Sequence, residues 1–174
     1  MPLFTESNIT LNFPDAQHFR FADCVGYQQL SGNHFKEMDY AWYDGDKNIY
    51  WLFELKDFSQ ARLNAETTME QRAWALVKKS VDSLCMLLAA KHDYRSVDIA
   101  ACLPQKPDAN TQFKFVSVIH CGATQKADIS LLHEQFRQKF KPYADLFGIT
   151  HYAVLEHSQA IRKIPNNLVK EITP

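Results

Sequence analysis

The chain has 174 residues and a mass of 20.1 kDa, 46% of it apolar and 22% charged, with five Gly and seven Pro, which is one domain's worth of globular sequence with enough apolar material for a sizeable core. Nineteen Lys and Arg against 20 Asp and Glu leave a formal charge of -1, excluding a protein that holds nucleic acid by bulk positive charge but not one with a local basic groove. No apolar run reaches the ~20 residues of a membrane-spanning helix, and Met1-Pro2-Leu3-Phe4-Thr5-Glu6 lacks the basic and apolar regions of a secretory signal.

The expectation is therefore a single domain over 1–174, cytoplasmic and away from membranes. Cys24, Cys85, Cys102 and Cys121 are widely spaced with no C-x-x-C pair, and they read as reduced core thiols, not as a disulfide frame or a zinc site. The seven histidines show no H-x-H or H-E-x-x-H spacing.

In chain order, Ile9 to Phe13 alternates like a short strand and Pro14 stops it; Asp15 to Cys24 suits either a helix or a second strand. Phe35 to Tyr43 and Ile49 to Lys56 are aromatic-rich runs around Asp44-Gly45-Asp46-Lys47-Asn48, a strong hairpin signal. A helix is predicted from Thr67 to Ala90, with Trp74, Val77, Val81, Leu84, Cys85 and Leu88 as its apolar stripe. Gln71, Arg72, Lys78, Lys79 and Asp82 fall on its polar side.

Two more runs read as strands, Ser96 to Leu103 and Gln112 to Cys121. A second helix spans Asp128 to Leu146 with Leu131, Leu132, Phe136, Phe140 and Tyr143 facing inward; Pro142 is placed to kink or break it, and Gly148 ends it. Thr150 to Leu155 is a last strand. Strand, long helix, strand is a parallel crossover. With the antiparallel hairpin it makes an α/β fold, a mixed central sheet flanked by helices.

The hairpin carries the chemistry. With a turn centred on Gly45-Asp46, Tyr43 opposes Asn48 and Asp39 opposes Leu52. One face then holds Glu37, Asp39, Ala41 and Tyr43 beside Tyr50, Leu52, Glu54 and Lys56. The other holds Met38, Tyr40, Trp42, Trp51, Phe53 and Leu55, the expected core layer. Asp39 lies diagonal to Glu54, within ~7–8 Å, and Lys56 follows on the same face. Two carboxylates this close repel unless a cation sits between them. Mg²⁺ suits such a pair together with waters and phosphate oxygens. A neighbouring lysine can orient water or offset charge on phosphorus oxygens, which points to phosphodiester hydrolysis.

Asp39, followed by Glu54-Leu55-Lys56 at the end of the apolar run Tyr50-Trp51-Leu52-Phe53, resembles the PD-(D/E)XK, or restriction-endonuclease-like, nuclease superfamily. The resemblance covers Phe35 to Leu103 and includes the order hairpin, long helix, returning parallel strand. It implies a Mg²⁺-dependent DNase (Mn²⁺ substituting), with Asp39 and Glu54 as metal ligands and Lys56 as the catalytic lysine. Met38 stands where many members have Pro, and Glu37 and Asp23 are substitutes for the further acid that many carry in the first helix. A subset has Gln-x-x-x-Tyr on the helix after the lysine; Gln71 matches the Gln, but Ala75 stands at the Tyr.

The expected partner is nucleic acid, DNA first, with Arg137, Lys139, Lys141, Arg162 and Lys163 as phosphate contacts. A homodimer would give each strand of a duplex its own site. Two blander expectations stand beside this one. The trio is a solvated hairpin face with a weak Glu/Lys pair, or the fold is nuclease-like but inactive and serves as a binding or assembly subunit.

Overall fold

The computed structural model describes residues 3–59, 67–92 and 98–171. In chain order it contains strands β1 (Leu3–Glu6), β2 (Ile9–Asn12) and β3 (His18–Phe19), helix α1 (Val25–Ser31), strands β4 (Tyr40–Asp44) and β5 (Ile49–Asp57), and helix α2 (Met69–Lys91). Strand β6 (Gln112–His120), helix α3 (Lys126–Phe147), strand β7 (His151–Glu156), helix α4 (His157–Lys163) and strand β8 (Val169–Lys170) follow. The segment Asp15 to Cys24 is both things its sequence suits, since β3 is followed by a 3-10 turn at Phe21–Asp23.

The main sheet has the order β3-β4-β5-β6-β7. It is antiparallel through β3, β4 and β5 and parallel through β5, β6 and β7. The fold is thus α/β with a mixed sheet. Helices α2 and α3 cover one face, where Tyr50, Leu52, Phe115, Leu76, Leu84, Phe136 and Phe140 are buried together. A second sheet, β1-β2-β8, and α4 cover the other, burying Ile9, Leu11, Phe13, Trp42, Trp51, Phe53 and Leu55. Both hairpin faces are therefore core, not only the one bearing the tryptophans. Burial on both sides explains why Ile49 to Leu55 is an almost unbroken apolar run. Among the described residues no helix is long and apolar enough to cross a membrane.

The hairpin pairs Tyr43 with Tyr50 and Tyr40 with Phe53, two residues away from the expected register. Asn48, at φ 55, takes the left-handed position of the turn. Its carbonyl accepts from Gln112 N at 3.0 Å, which fastens the turn to the start of β6. A shift of two residues preserves side-chain parity. Asp39 and Glu54 stay on one face.

The parallel neighbour of β5 is β6 and not Ser96 to Leu103, of which residues 96 and 97 lie outside the described ones. Ala100–Cys102 is a 3-10 turn, because Asp98 Oδ1 accepts from Ala101 N at 3.0 Å and curls the chain. In α3, Pro142 sits inside a continuous helix. Gly148 ends it in the left-handed conformation at φ 66, as expected. Leu131 is 49% exposed, not inward.

Cys24 and Cys102, expected as separate thiols, are joined in a disulfide with a Cα–Cα distance of 5.6 Å. Cys85, expected in the core, is exposed and free, and Cys121 is also free. The bond pins the start of α1 to the 3-10 turn. A Cβ on Gly26 would stand 2.3 Å from the Asp98 carbonyl oxygen. Since that wall is backbone, Gly26→Ala is expected to cost roughly 1–3 kcal/mol by overpacking; chemical denaturation of the variant measures it, and an unchanged midpoint would show the two segments to be separable.

Candidate active site

The segment before β4 is docked on α2. Lys36 N donates to Asp82 Oδ2 at 2.8 Å and Met38 N to Ser83 Oγ at 2.9 Å. β4 begins only at Tyr40, so the ladder offers no partner there for the amide of Leu55. The carboxylate of Asp39 stands in for it, with Oδ2 accepting from Leu55 N at 2.8 Å. Ser83 can reach the chain because α2 packs closely, with Ala73, Ser80 and Ser83 among its buried residues.

Glu54 is 0% exposed, so the trio is no solvated face. Its carboxylate meets two ammonium groups. Lys79 Nζ lies 2.7 Å from Oε1 and 2.9 Å from Oε2, and Lys56 Nζ lies 2.7 Å from Oε1. Lys79 Nζ is also 3.4 Å from Asp39 Oδ1. One ammonium thus occupies the point where the two carboxylates converge. Two carboxylates and two ammonium groups balance. Burial, reinforced by Asp39, pushes the Glu54 pKa above the ordinary glutamate value against the pull of Lys56 and Lys79. Burial pushes Lys79 down, but Glu54, Asp39 and Glu37 outweigh it and hold the ammonium above the ordinary lysine value. Lys56 is the open member, its side chain 39% exposed.

Lys79 is the residue that sequence reasoning placed wrongly, on the polar side of α2. The predicted stripe begins at Trp74, which is 47% exposed under Lys139, whose Nζ lies 4.9 Å from the ring centroid. The helix is rotated so that Ala73, Leu76, Val77, Ser80, Ser83, Leu84 and Leu87 face inward. Lys79, beside Ser80 and four residues before Ser83, lies on the edge of that face. The small residues were the available signal.

Glu37 accepts from the Tyr27 hydroxyl and contributes to the field at Lys79. Gln71 closes the first turn of α2, with Oε1 accepting from Thr68 N at 2.8 Å while its own N donates to Thr68 Oγ1 at 3.2 Å. Among the described residues no three His, Cys, Asp or Glu side chains converge as a metal ligand set; Asp39 and Glu54 are a pair. The five basic residues are differently engaged. Lys139 pairs with Glu70 at 2.8 Å, Lys141 with Asp145 at 2.7 Å, and Arg137 lies over the Tyr152 ring at 4.7 Å. Arg162 is exposed. Lys163 lines a cleft of about 310 Å³ between α3, β7 and α4, with Lys126, Ser130, His133, Glu134 and Glu156.

No family model matches the chain, and neither does any curated protein or solved structure.

In the cleft, His133 Nδ1 accepts from Val154 N at 3.1 Å, which requires the neutral ring and covers the outer edge of β7. Burial, then Arg137, holds the His133 pKa below the ordinary histidine value of 6.5. The folded chain therefore binds fewer protons than the unfolded chain just below that value. The contribution is present above it and lost as pH falls through the lowered folded value. Denaturant midpoints of wild type should drop more between pH 7.5 and 5.5 than those of His133→Ala. Equal drops would remove His133 from the account.

Proposed function

We propose that the chain is a metal-dependent nuclease that hydrolyses phosphodiester bonds of nucleic acid, DNA first, on a restriction-endonuclease-like core made by β4, β5, α2 and β6. What carries the reading is a wholly buried glutamate that aims, with Asp39, at a single cation position beside a half-open lysine. Burying a carboxylate is costly, and an inert strand would carry an apolar residue there.

The donor set fits Mg²⁺ or Mn²⁺. Asp39 Oδ1 and Glu54 already meet at one cation, and Mg²⁺ uses one or two carboxylates with waters and substrate phosphate oxygens. When bound, the metal supplies a polarised phosphate and an acidified water. Asp39 and Glu54 would hold it. Asp39 is itself held by the Leu55 amide, so its free oxygen stays aimed at the site. Lys56 meets the substrate side, where its ammonium orients water or offsets charge building on phosphorus oxygens. Arg162 and Lys163 are the first phosphate contacts to test, because Lys139 and Lys141 already have carboxylate partners. A homodimer would serve a duplex. The reading belongs to a cytoplasmic protein, where the Cys24–Cys102 bond would face a reducing pool.

The test is incubation of purified protein with plasmid, single-stranded DNA and RNA in Mg²⁺ or Mn²⁺. Cleavage of at least one is the expected result, and none cut with either metal overturns the reading. A second reading, an inactive nuclease-like fold serving as a binding or assembly subunit, is favoured by one observation: Lys56 and Lys79 neutralise the carboxylates without any metal. Calorimetry with Mn²⁺ separates the two, since the second reading gives no binding heat.

A further inference from the structure

Lys79 is the side chain for which the nuclease reading has no use. It comes from α2, it is largely buried, and it stands within hydrogen-bond distance of both Glu54 oxygens and near Asp39 Oδ1. A divalent ion bridging Asp39 and Glu54 would need the same point. Lys56 reaches Glu54 Oε1 from the open side, but Lys79 fills the point between Asp39 Oδ1 and both Glu54 oxygens, so an ion seated there takes its place.

A second seat lies close by. Glu37 stands between Lys36 and Met38, whose amides dock on Asp82 and Ser83 one helical turn from Lys79, and its charge already acts on Lys79. Glu37 is partly exposed, and one of its oxygens is held by the Tyr27 hydroxyl. It is thus a positioned carboxylate with a second oxygen to receive an ammonium. Lysine's flexible four-carbon stem allows such a swing while its charge is kept.

We propose that metal loading of the Asp39–Glu54 pair is a cation exchange, in which the Lys79 ammonium leaves the seat between the carboxylates as a divalent ion enters, and is received by Glu37. The exchange rests on the metal-site reading above and regulates that same site. Lys79 is a built-in competitor that keeps the buried carboxylates neutralised until metal arrives. No bond forms or breaks and no proton is released; one cation replaces another.

Calorimetric titration of Mn²⁺ into wild type, Lys79→Met, Lys79→Arg, Glu37→Gln and the Lys79→Met/Glu37→Gln double variant tests it, with a thermal melt on each to establish folding. Lys79→Met is expected to bind Mn²⁺ at least about tenfold tighter, because a unit charge this close shifts an equilibrium by more than a decade. Lys79→Arg, which keeps the charge and grips Glu54 through a fork of donors, is expected to bind more weakly than wild type. Glu37→Gln is expected to weaken binding in the wild-type background and to change nothing once Lys79 is Met.

Wild-type affinity in both Lys79 variants, or weaker binding in Lys79→Met, overturns the exchange while leaving the metal site standing. Should Lys79→Met not fold without metal, Lys79→Arg decides alone, and an unchanged or tighter affinity there overturns the exchange. Folded wild type and Lys79→Met that both fail to bind Mn²⁺ remove the metal site and the exchange with it.

Discussion

Glu54→Gln is expected to abolish Mn²⁺-supported cleavage, and Lys56→Ala to reduce it by about 10²–10³-fold, the usual cost of removing one charge-stabilising donor. The two losses differ in kind. Glu54 is a ligand in the reading above, so its amide variant should also lose the binding heat. In that same reading Lys56 faces substrate and not metal, so Lys56→Ala should retain Mn²⁺ binding. Stability separates them again. Leaving one partner of a buried pair uncompensated costs roughly 3–5 kcal/mol, and Glu54→Gln should approach this, since the largely buried Lys79 then keeps only Asp39. Losing the half-exposed Lys56 should cost less, because Lys79 stays on Glu54. A saturating metal stabilises only a chain that binds it, by about 2.7 kcal/mol at a hundredfold excess over Kd. Thermal melts with and without Mn²⁺ should therefore move for wild type and Lys56→Ala and stay fixed for Glu54→Gln. A Lys56→Ala protein that cuts at the wild-type rate would take Lys56 out of the chemistry.

The second large effect concerns the Cys24–Cys102 bond, which closes a loop with a sequence separation of 78. A cross-link over a loop of this length removes about 4 kcal/mol of unfolded-chain entropy in the loop-closure account. For a chain of this size that corresponds to a Tm lower by roughly 10 °C on reduction. Melts with and without dithiothreitol measure it. Cys102→Ser should melt like the reduced wild type and ignore the reductant, while Cys85→Ala should behave as wild type, since Cys85 is exposed and unpaired. A wild-type Tm indifferent to reductant would show that the bond contributes nothing to stability.

The sheet face of the site was legible in the sequence because strand periodicity is forgiving. The pairing register was misplaced by two residues, yet parity kept Asp39 beside Glu54. A one-residue error would have separated them. Helix α2 was less legible, because its largest apolar residue, Trp74, lies outside the core under Lys139. The inward face is carried by small residues whose value is close approach, and hydrophobicity alone undervalues Ser80 and Ser83. Lys79 was lost with that rotation. Ser96 to Leu103 read as a strand because its apolar residues are dense; Asp98 curls it through a local hydrogen bond that periodicity does not register. The joining of Cys24 to Cys102 has no local signal at all, since their nearness is a product of the whole fold.

The hydrogen bond from the Leu55 amide to the Asp39 carboxylate makes one backbone proton a gauge of site assembly. Strand amides are ordinarily protected by a neighbouring strand, so their exchange with solvent deuterium reports on the sheet. This one is protected by a side chain. Its exchange follows the position of Asp39, and through Lys79 and Glu54 the occupancy of the cation seat. A single resolved resonance, that of Leu55 in an amide spectrum, would therefore follow events at the site in real time, with no substrate or dye added.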